Sequence, residues 1–117
     1  MNSGNGDVLN RLLSPEFEGQ LTAGLPRGFG RAYHGLSAML GEGWSAIGEL
    51  FEMGPQVEEL FDGGTVLIGR GYYVGKAKTT GKPVRAAFAH FWPFDGQRFT
   101  GVHQVIDSGA WRDALQG

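Results

Sequence analysis

Three turn signals between residues 62 and 107 constrain this chain more than any other feature. Asp62-Gly63-Gly64, Thr79-Thr80-Gly81-Lys82 and Asp95-Gly96-Gln97 punctuate segments rich in β-branched and aromatic residues. Two-sided patterning broken by Gly and Asx turns is how a chain specifies successive antiparallel strands. The predicted strands run from about Thr65 to Lys78, Lys82 to Phe94 and Arg98 to Ile106. Everything N-terminal to them reads as helix or loop that needs a sheet to lie on.

At 117 residues the chain fits a single domain, 1–117, able to close one core without a staple. It has no cysteine, which removes disulfides, thiolate metal sites and a cysteine nucleophile. Three dispersed histidines without ligand spacing give no metal site, and no cofactor motif is present. The first residues carry neither a basic start nor an apolar run, and no stretch approaches the ~18 apolar residues of a membrane span. No membrane is therefore expected, and the cytoplasm is the default location. The net charge of -2 with mixed signs argues against nucleic acid, which needs a clustered basic face. The only basic concentration, Lys76, Lys78 and Lys82, flanks a turn. Twenty-one glycines lie scattered through patterned segments and imply turns, bulges and close backbone approach.

Upstream, Asp7 can cap a short helix with Val8, Leu9, Leu12 and Leu13 on one face, stopped by Pro15. Glu16 to Leu21 alternate weakly and predict a short edge strand. Thr22 to Gly35 reads as a long loop with Pro26, four glycines and the aromatics Phe29 and Tyr33, a composition suited to a rim or lid. The clearest helix is predicted from about Leu36 to Met53 on the threes-and-fours spacing of Leu36, Met39, Leu40, Trp44, Ile47, Leu50 and Phe51, ended by Gly54-Pro55. A strand over Gln56–Phe61 then leads into the three long ones. Ser108 can cap a last turn or two that docks Trp111 and Leu115. Helices segregated from antiparallel strands make an α+β pattern.

Several short segments carry a family resemblance: Gly71-Tyr72-Tyr73-Val74-Gly75, Thr80-Gly81-Lys82-Pro83, Phe88-Ala89-His90-Phe91-Trp92, His103-Gln104-Val105-Ile106-Asp107, and upstream Leu12-Leu13-Ser14-Pro15-Glu16-Phe17 and Tyr33-His34-Gly35. Together they resemble the SnoaL-like group of the nuclear transport factor 2-like superfamily. The resemblance implies a cone, a curved antiparallel sheet packed against helices around a hydrophobic pocket and paired as a homodimer through the sheet's outer face. It also implies a further helix ahead of the Asn2-Ser3-Gly4 turn, where this chain begins. One wall of the cone is thus expected to be open, or its mouth near Leu21, Leu25 and Phe29 to be covered by the glycine-rich loop, a neighbour or an apolar ligand.

The chemistry the family hosts then narrows. Steroid isomerisation of the kind known in this superfamily needs a carboxylate base and a second, protonated acid. Those positions align near Leu21 and Ala89. An epoxide hydrolase needs paired carboxylates, and the matching exit-strand position is Gln104, which cannot do acid–base work at neutral pH. The resemblance leaves Gln104, His90 and Asp107 as candidate catalytic residues. Tyr33, His34, Trp44, Tyr73, Phe91 and Val102 are candidates for binding a hydrophobic, polycyclic or terpenoid-like molecule. Strand alternation sends His103 and Gln104 to opposite faces, and the resemblance favours Gln104 inside. The plain alternative readings are a packed or interface role for the histidines, a helix cap for Asp107, and a ligand-binding or dimerising module without catalysis. An outer face carrying His90, Trp92 and His103 would need a dimer to cover it.

Overall fold

The computed structural model describes residues 11–116. Arg11 and Leu12 are helical and lead into strand β1, Leu13–Leu21. Next come a 3-10 turn, Pro26–Gly28, and a short strand β2, Ala32–His34. Helix α1 is continuous over Leu36–Ala38, π-helical Met39–Trp44 and Ser45–Leu50. After it run the strands β3, Phe51–Asp62, β4, Val66–Ala77, β5, Pro83–Pro93, and β6, Phe99–Ile106. Helix α2, Ser108–Leu115, ends the fold. All six strands form one sheet in the order β2-β1-β6-β5-β4-β3, with the helices packed on its inner face. No helix among the described residues is long and apolar enough to cross a membrane.

The three long strands fall within two residues of their predicted limits because each turn is closed by its own side-chain oxygen. Asp62 Oδ1 accepts from Gly64 N at 2.9 Å, Thr80 Oγ1 from Lys82 N at 3.1 Å, and Asp95 Oδ1 from Gln97 and Arg98 N at 2.8 Å each. Short polar side chains that mimic a backbone turn fix where a strand can end. Along β5, buried Val84, Ala86, Phe88 and His90 alternate with outward Arg85, Ala87 and Phe91. Pairing His90 with Gln104 and Phe91 with His103 carries that alternation into β6.

Four expectations need correction. The predicted helix ends at Leu50, not Met53. Phe51 is already extended (φ -128, ψ 139), and Lys78 N, at the end of β4, donates to the Leu50 carbonyl at 2.8 Å. That tertiary bond takes a carbonyl the helix would otherwise leave unmet. Gly54-Pro55 therefore lies inside β3, where proline is tolerated because β3 is the sheet's edge and its outer side needs no donor. The segment Glu16–Leu21 is not an edge: β1 starts at Leu13, pairs with β2, and runs parallel to β6. One parallel pair thus joins an otherwise antiparallel sheet. The Thr22–Gly35 loop contains β2, and its Leu25 and Phe29 are themselves buried, with Leu21, so the loop folds inward over the mouth. The predicted Asp7 cap lies outside the described residues.

Phe17 and Leu21 from β1, Phe88 from β5, Val102 and Ile106 from β6, Phe51 from β3 and Trp111 from α2 make the core of the cone. β3 carries a bulge between Val57 and Glu59 against β4. There a Cβ on Gly71 would collide with the Gln56 carbonyl. Gly48, by contrast, sits in α1 with nothing within 4 Å of an added Cβ. Denaturant unfolding should therefore show Gly48→Ala stabilising by up to about 1 kcal/mol. Gly71→Ala should destabilise, by about 1–3 kcal/mol, as a backbone clash at a bulge must be relieved by shifting a strand.

Candidate functional site

Four side chains from four elements meet at the centre of the cone. β5 directs His90 inward and β6 directs Gln104 inward directly opposite it. On β4, the inward positions across from His90 and Phe88 are Gly69 and Gly71. Having no side chains, they leave room for Tyr73 to lie along the strand, its ring 4.8 Å from Phe88 and 5.6 Å from His90. The fourth member, Trp44, comes from the π-helical segment of α1. There Ser45 N bonds back five residues to Leu40 O. The extra residue in that turn offsets the remainder of α1 by about 100° from an uninterrupted α-helix.

The hydrogen bonds have one consistent direction. Indole nitrogen can only donate, so Trp44 Nε1, 3.0 Å from Gln104 Oε1, fixes which end of the amide is oxygen. Gln104 Nε2 then points at Tyr73 Oη, 2.8 Å, and His90 Nε2, 3.0 Å. These two acceptors stand only 2.9 Å apart, so they share one amide hydrogen, since the two N–H bonds of an amide diverge by roughly 120° and cannot both reach them. The Tyr73 hydroxyl proton is left to reach His90 Nε2 at 2.9 Å, so the imidazole is neutral with its own proton on Nδ1. His90 and Gln104 are buried, 7% and 4% exposed, which gives the cluster the low dielectric that strengthens such bonds. Burial lowers the His90 pKa to about 4. It also pushes the Tyr73 phenol well above its ordinary value, against a smaller opposing effect of the Gln104 bond.

The cluster borders a cavity of about 260 Å³ lined by Trp44, Ile47, Gly48, Phe51, Met53, Pro55, Tyr73, Gln104 and Trp111. Tyr73 and Gln104 are the points of polarity in an otherwise apolar wall. The Trp111 indole N–H has no hydrogen-bond partner among the described residues; its ring meets Tyr73 edge-on at 5.5 Å. Across Trp44 lies a second, more open hollow of about 290 Å³ bounded by Leu12, Leu13, Trp44, Leu67, Trp92 and Phe99. Among the described residues no group of three or more His, Cys, Asp or Glu side chains is placed to hold a metal ion.

Of the residues singled out from sequence, the structure brings together His90, Gln104, Trp44 and Tyr73, and separates the rest. Asp107 is exposed and caps α2, its Oδ1 accepting from Ala110 N at 3.2 Å. Tyr33 is buried under α1 with its hydroxyl donating to the Phe29 carbonyl at 2.8 Å. His34 lies outside, paired with Glu18 at 2.8 Å. Phe91 points to the outer face, 37% exposed, because it is one residue out of phase with His90. Val102 is inward but packed in the core. His90 and Trp92 share the inner face, so the outer face carries Phe91, His103 and Val105 and not the trio expected. Sequence reasoning missed Met53, Pro55 and Trp111 as cavity walls; the alternation of Phe51, Met53 and Pro55 was the available signal for the first two.

A neutral buried histidine couples folding to pH with a definite sign. The unfolded chain takes up a proton as pH falls through 6.5, while the native chain resists it down to about 4. Stability should be full above pH 6.5 and fall across that window by about 3 kcal/mol from this group. Unfolding measured at pH 7, 5.5 and 4 should show a smaller fall for His90→Gln than for the native chain. Parallel curves would contradict the assignment.

No protein-family model matches the sequence, and no curated protein matches it. Solved structures do. A nuclear transport factor 2-like protein from Burkholderia thailandensis E264 superposes with a TM-score of 0.81 at 25% identity, over 90% of this chain and 80% of that one. A protein of Jannaschia sp. CCS1 named as a SnoaL-like polyketide cyclase gives 0.82 at 15% identity, over 97% and 80%. TerC, co-crystallised with polyporic acid, gives 0.81 at 17%, over 96% and 85%. With the six-stranded sheet and its helices, these likenesses show that the chain has the nuclear transport factor 2-like fold, which the SnoaL-like proteins share.

Proposed function

We propose that this domain binds a compact, neutral aromatic molecule that carries a hydroxyl or N–H group, in the cavity beneath α1. The observation that carries the proposal is how the donors of the cluster are used. Trp44 N–H, one amide hydrogen of Gln104 shared between Tyr73 and His90, and the Tyr73 hydroxyl proton are engaged within it. The capacity left at the cavity wall includes the second lone pair of Gln104 Oε1 and of Tyr73 Oη, so the site can accept a hydrogen bond from the ligand. No carboxylate or cation belongs to the cluster, which suits an uncharged ligand: desolvating an unpaired ion there is costly. The ring walls Trp44, Phe51, Tyr73 and Trp111 suit a flat apolar body. That TerC was crystallised with polyporic acid supports a small-molecule role for this fold.

Binding without turnover is the favoured form. With a pKa of about 4 and its Nε2 lone pair already occupied, His90 is a weak general base at neutral pH, and Asp107 is engaged elsewhere. A cofactor-free isomerisation or cyclisation, as the SnoaL-like cyclases suggest, would have to use Tyr73 as a hydrogen-bond donor to a ligand carbonyl, which requires its proton to leave His90. Titration calorimetry with 2-naphthol and with 2-methoxynaphthalene, which lacks the donor, tests the proposal. The native chain should bind 2-naphthol about tenfold tighter, the worth of one hydrogen bond. Gln104→Leu should narrow that preference. Equal affinities for the two in the native chain would contradict it.

We also propose that two copies pair through the outer face of the sheet. Phe61, Phe91 and Val105 are 46%, 37% and 43% exposed there, a patch that a two-fold partner would cover. Sedimentation at micromolar concentration should give twice the chain mass, and Phe91→Glu should return it to the monomer. A native monomer would remove this claim.

A further inference from the structure

The cavity of about 260 Å³ is small for the roughly 300–1,000 Å³ that ligand sites usually offer, and what limits it is one side chain. Trp44 belongs to the wall of the inner cavity and to that of the outer hollow of about 290 Å³; no other described residue lines both. Its ring stands edge-on to Phe17 at 5.8 Å and tilted against Trp92 at 6.2 Å, while its N–H is tied to Gln104. The hollow beyond is lined by apolar residues throughout. Among the described residues the inner cavity has the polar points and the outer hollow is walled by apolar side chains, so the two together have the layout of a site for a longer amphipathic ring system, with the indole standing between its halves.

We propose that Trp44 is the specificity-determining residue of the site, a wall that restricts the ligand to a compact ring system, and that removing it joins the two spaces and admits a larger hydroxylated polycycle. The inference rests on the ligand reading given above and adds what sets the size limit. The π-helical turn is part of the device. It places the indole against Gln104, and Gly41 within it has open space around an added Cβ, so the turn is not there to relieve crowding at that position. Leu67, on the inner face of β4 opposite Trp92, marks the far side of the barrier and lines the outer hollow but not the inner cavity.

Fluorescence titration with 2-naphthol, a two-ring probe, and 1-hydroxypyrene, a four-ring probe with the same donor, tests this on the native chain and on variants at Trp44 and Leu67. The native chain should bind 2-naphthol and bind 1-hydroxypyrene at least tenfold more weakly. Trp44→Ala, or Trp44→Leu should the alanine variant melt too low, should gain at least tenfold for 1-hydroxypyrene. Trp44→Phe loses the N–H but keeps a ring wall, so it should not gain. Adding Leu67→Trp to the Trp44→Ala variant should cancel the gain, whereas Leu67→Trp alone should leave 2-naphthol binding unchanged. Failure of 1-hydroxypyrene to improve in a folded Trp44→Ala or Trp44→Leu chain that still binds 2-naphthol overturns the wall. So does a loss of 2-naphthol binding in Leu67→Trp alone, which would mean that the spaces are already one. Absence of 2-naphthol binding in the native chain sinks the ligand reading instead, and a gain for 1-hydroxypyrene in Trp44→Ala would still support the wall.

Discussion

The hydrogen bond from Trp44 Nε1 to Gln104 Oε1 is the interaction on which the interior of this domain depends. An indole can only donate, so it decides the orientation of the amide. The amide decides that Tyr73 and His90 must both accept, and that leaves the imidazole neutral. A chain of assignments running through α1, β6, β4 and β5 thus begins at one group with no choice. The cost of burying four polar side chains in an apolar cone is offset only when every member is satisfied. The tie also fixes α1 across the sheet, since Trp44 is the point at which the helix bonds to the far wall.

The sheet supplies the geometry that makes this network possible. Strand alternation places His90 and Gln104 on one face and Phe91 and His103 on the other, and a one-residue slip would exchange them. Register is held by Asx and Thr turns between the long strands and, at the end of β6's parallel pairing with β1, by Thr22. Its hydroxyl donates to the Gln104 carbonyl at 2.9 Å and accepts from Ile106 N at 2.7 Å. Gly69 and Gly71 then clear the space into which Tyr73 leans. Turn chemistry, register and small residues therefore converge on a single point, the consistency across levels expected of a sequence that specifies one packed interior.

Much of the fold could be read from residues alone, because local chemistry writes it: Asp62, Thr80 and Asp95 close the turns just as their neighbours imply. The helix limit at Leu50 could not, since the bond that stops it comes from Lys78, 28 positions away, and the threes-and-fours spacing continues through Phe51. Nor could the parallel β1–β6 pair, which leaves no local pattern and joins segments that loop and helix keep far apart in the chain. At the site, alternation alone established that His103 and Gln104 must part, while the choice of face came from family resemblance. The His90, Gln104, Trp44 and Tyr73 cluster was nameable only as separate candidates, because its members are joined by contacts spanning up to 60 positions. Asp107, Tyr33 and His34 show the converse. Each has a polar group that sequence marks as notable and that the structure satisfies locally.

The central claim is that Trp44 orders a neutral network around an unprotonated His90 Nε2. Nitrogen-15 NMR of the imidazole at neutral pH measures this most directly. The account predicts the Nδ1–H tautomer of His90 in the native chain, with that tautomer weakened and its titration moved toward the ordinary histidine range in Trp44→Phe. An Nε2-protonated or charged His90 at pH 7, or a spectrum indifferent to Trp44→Phe, would contradict it.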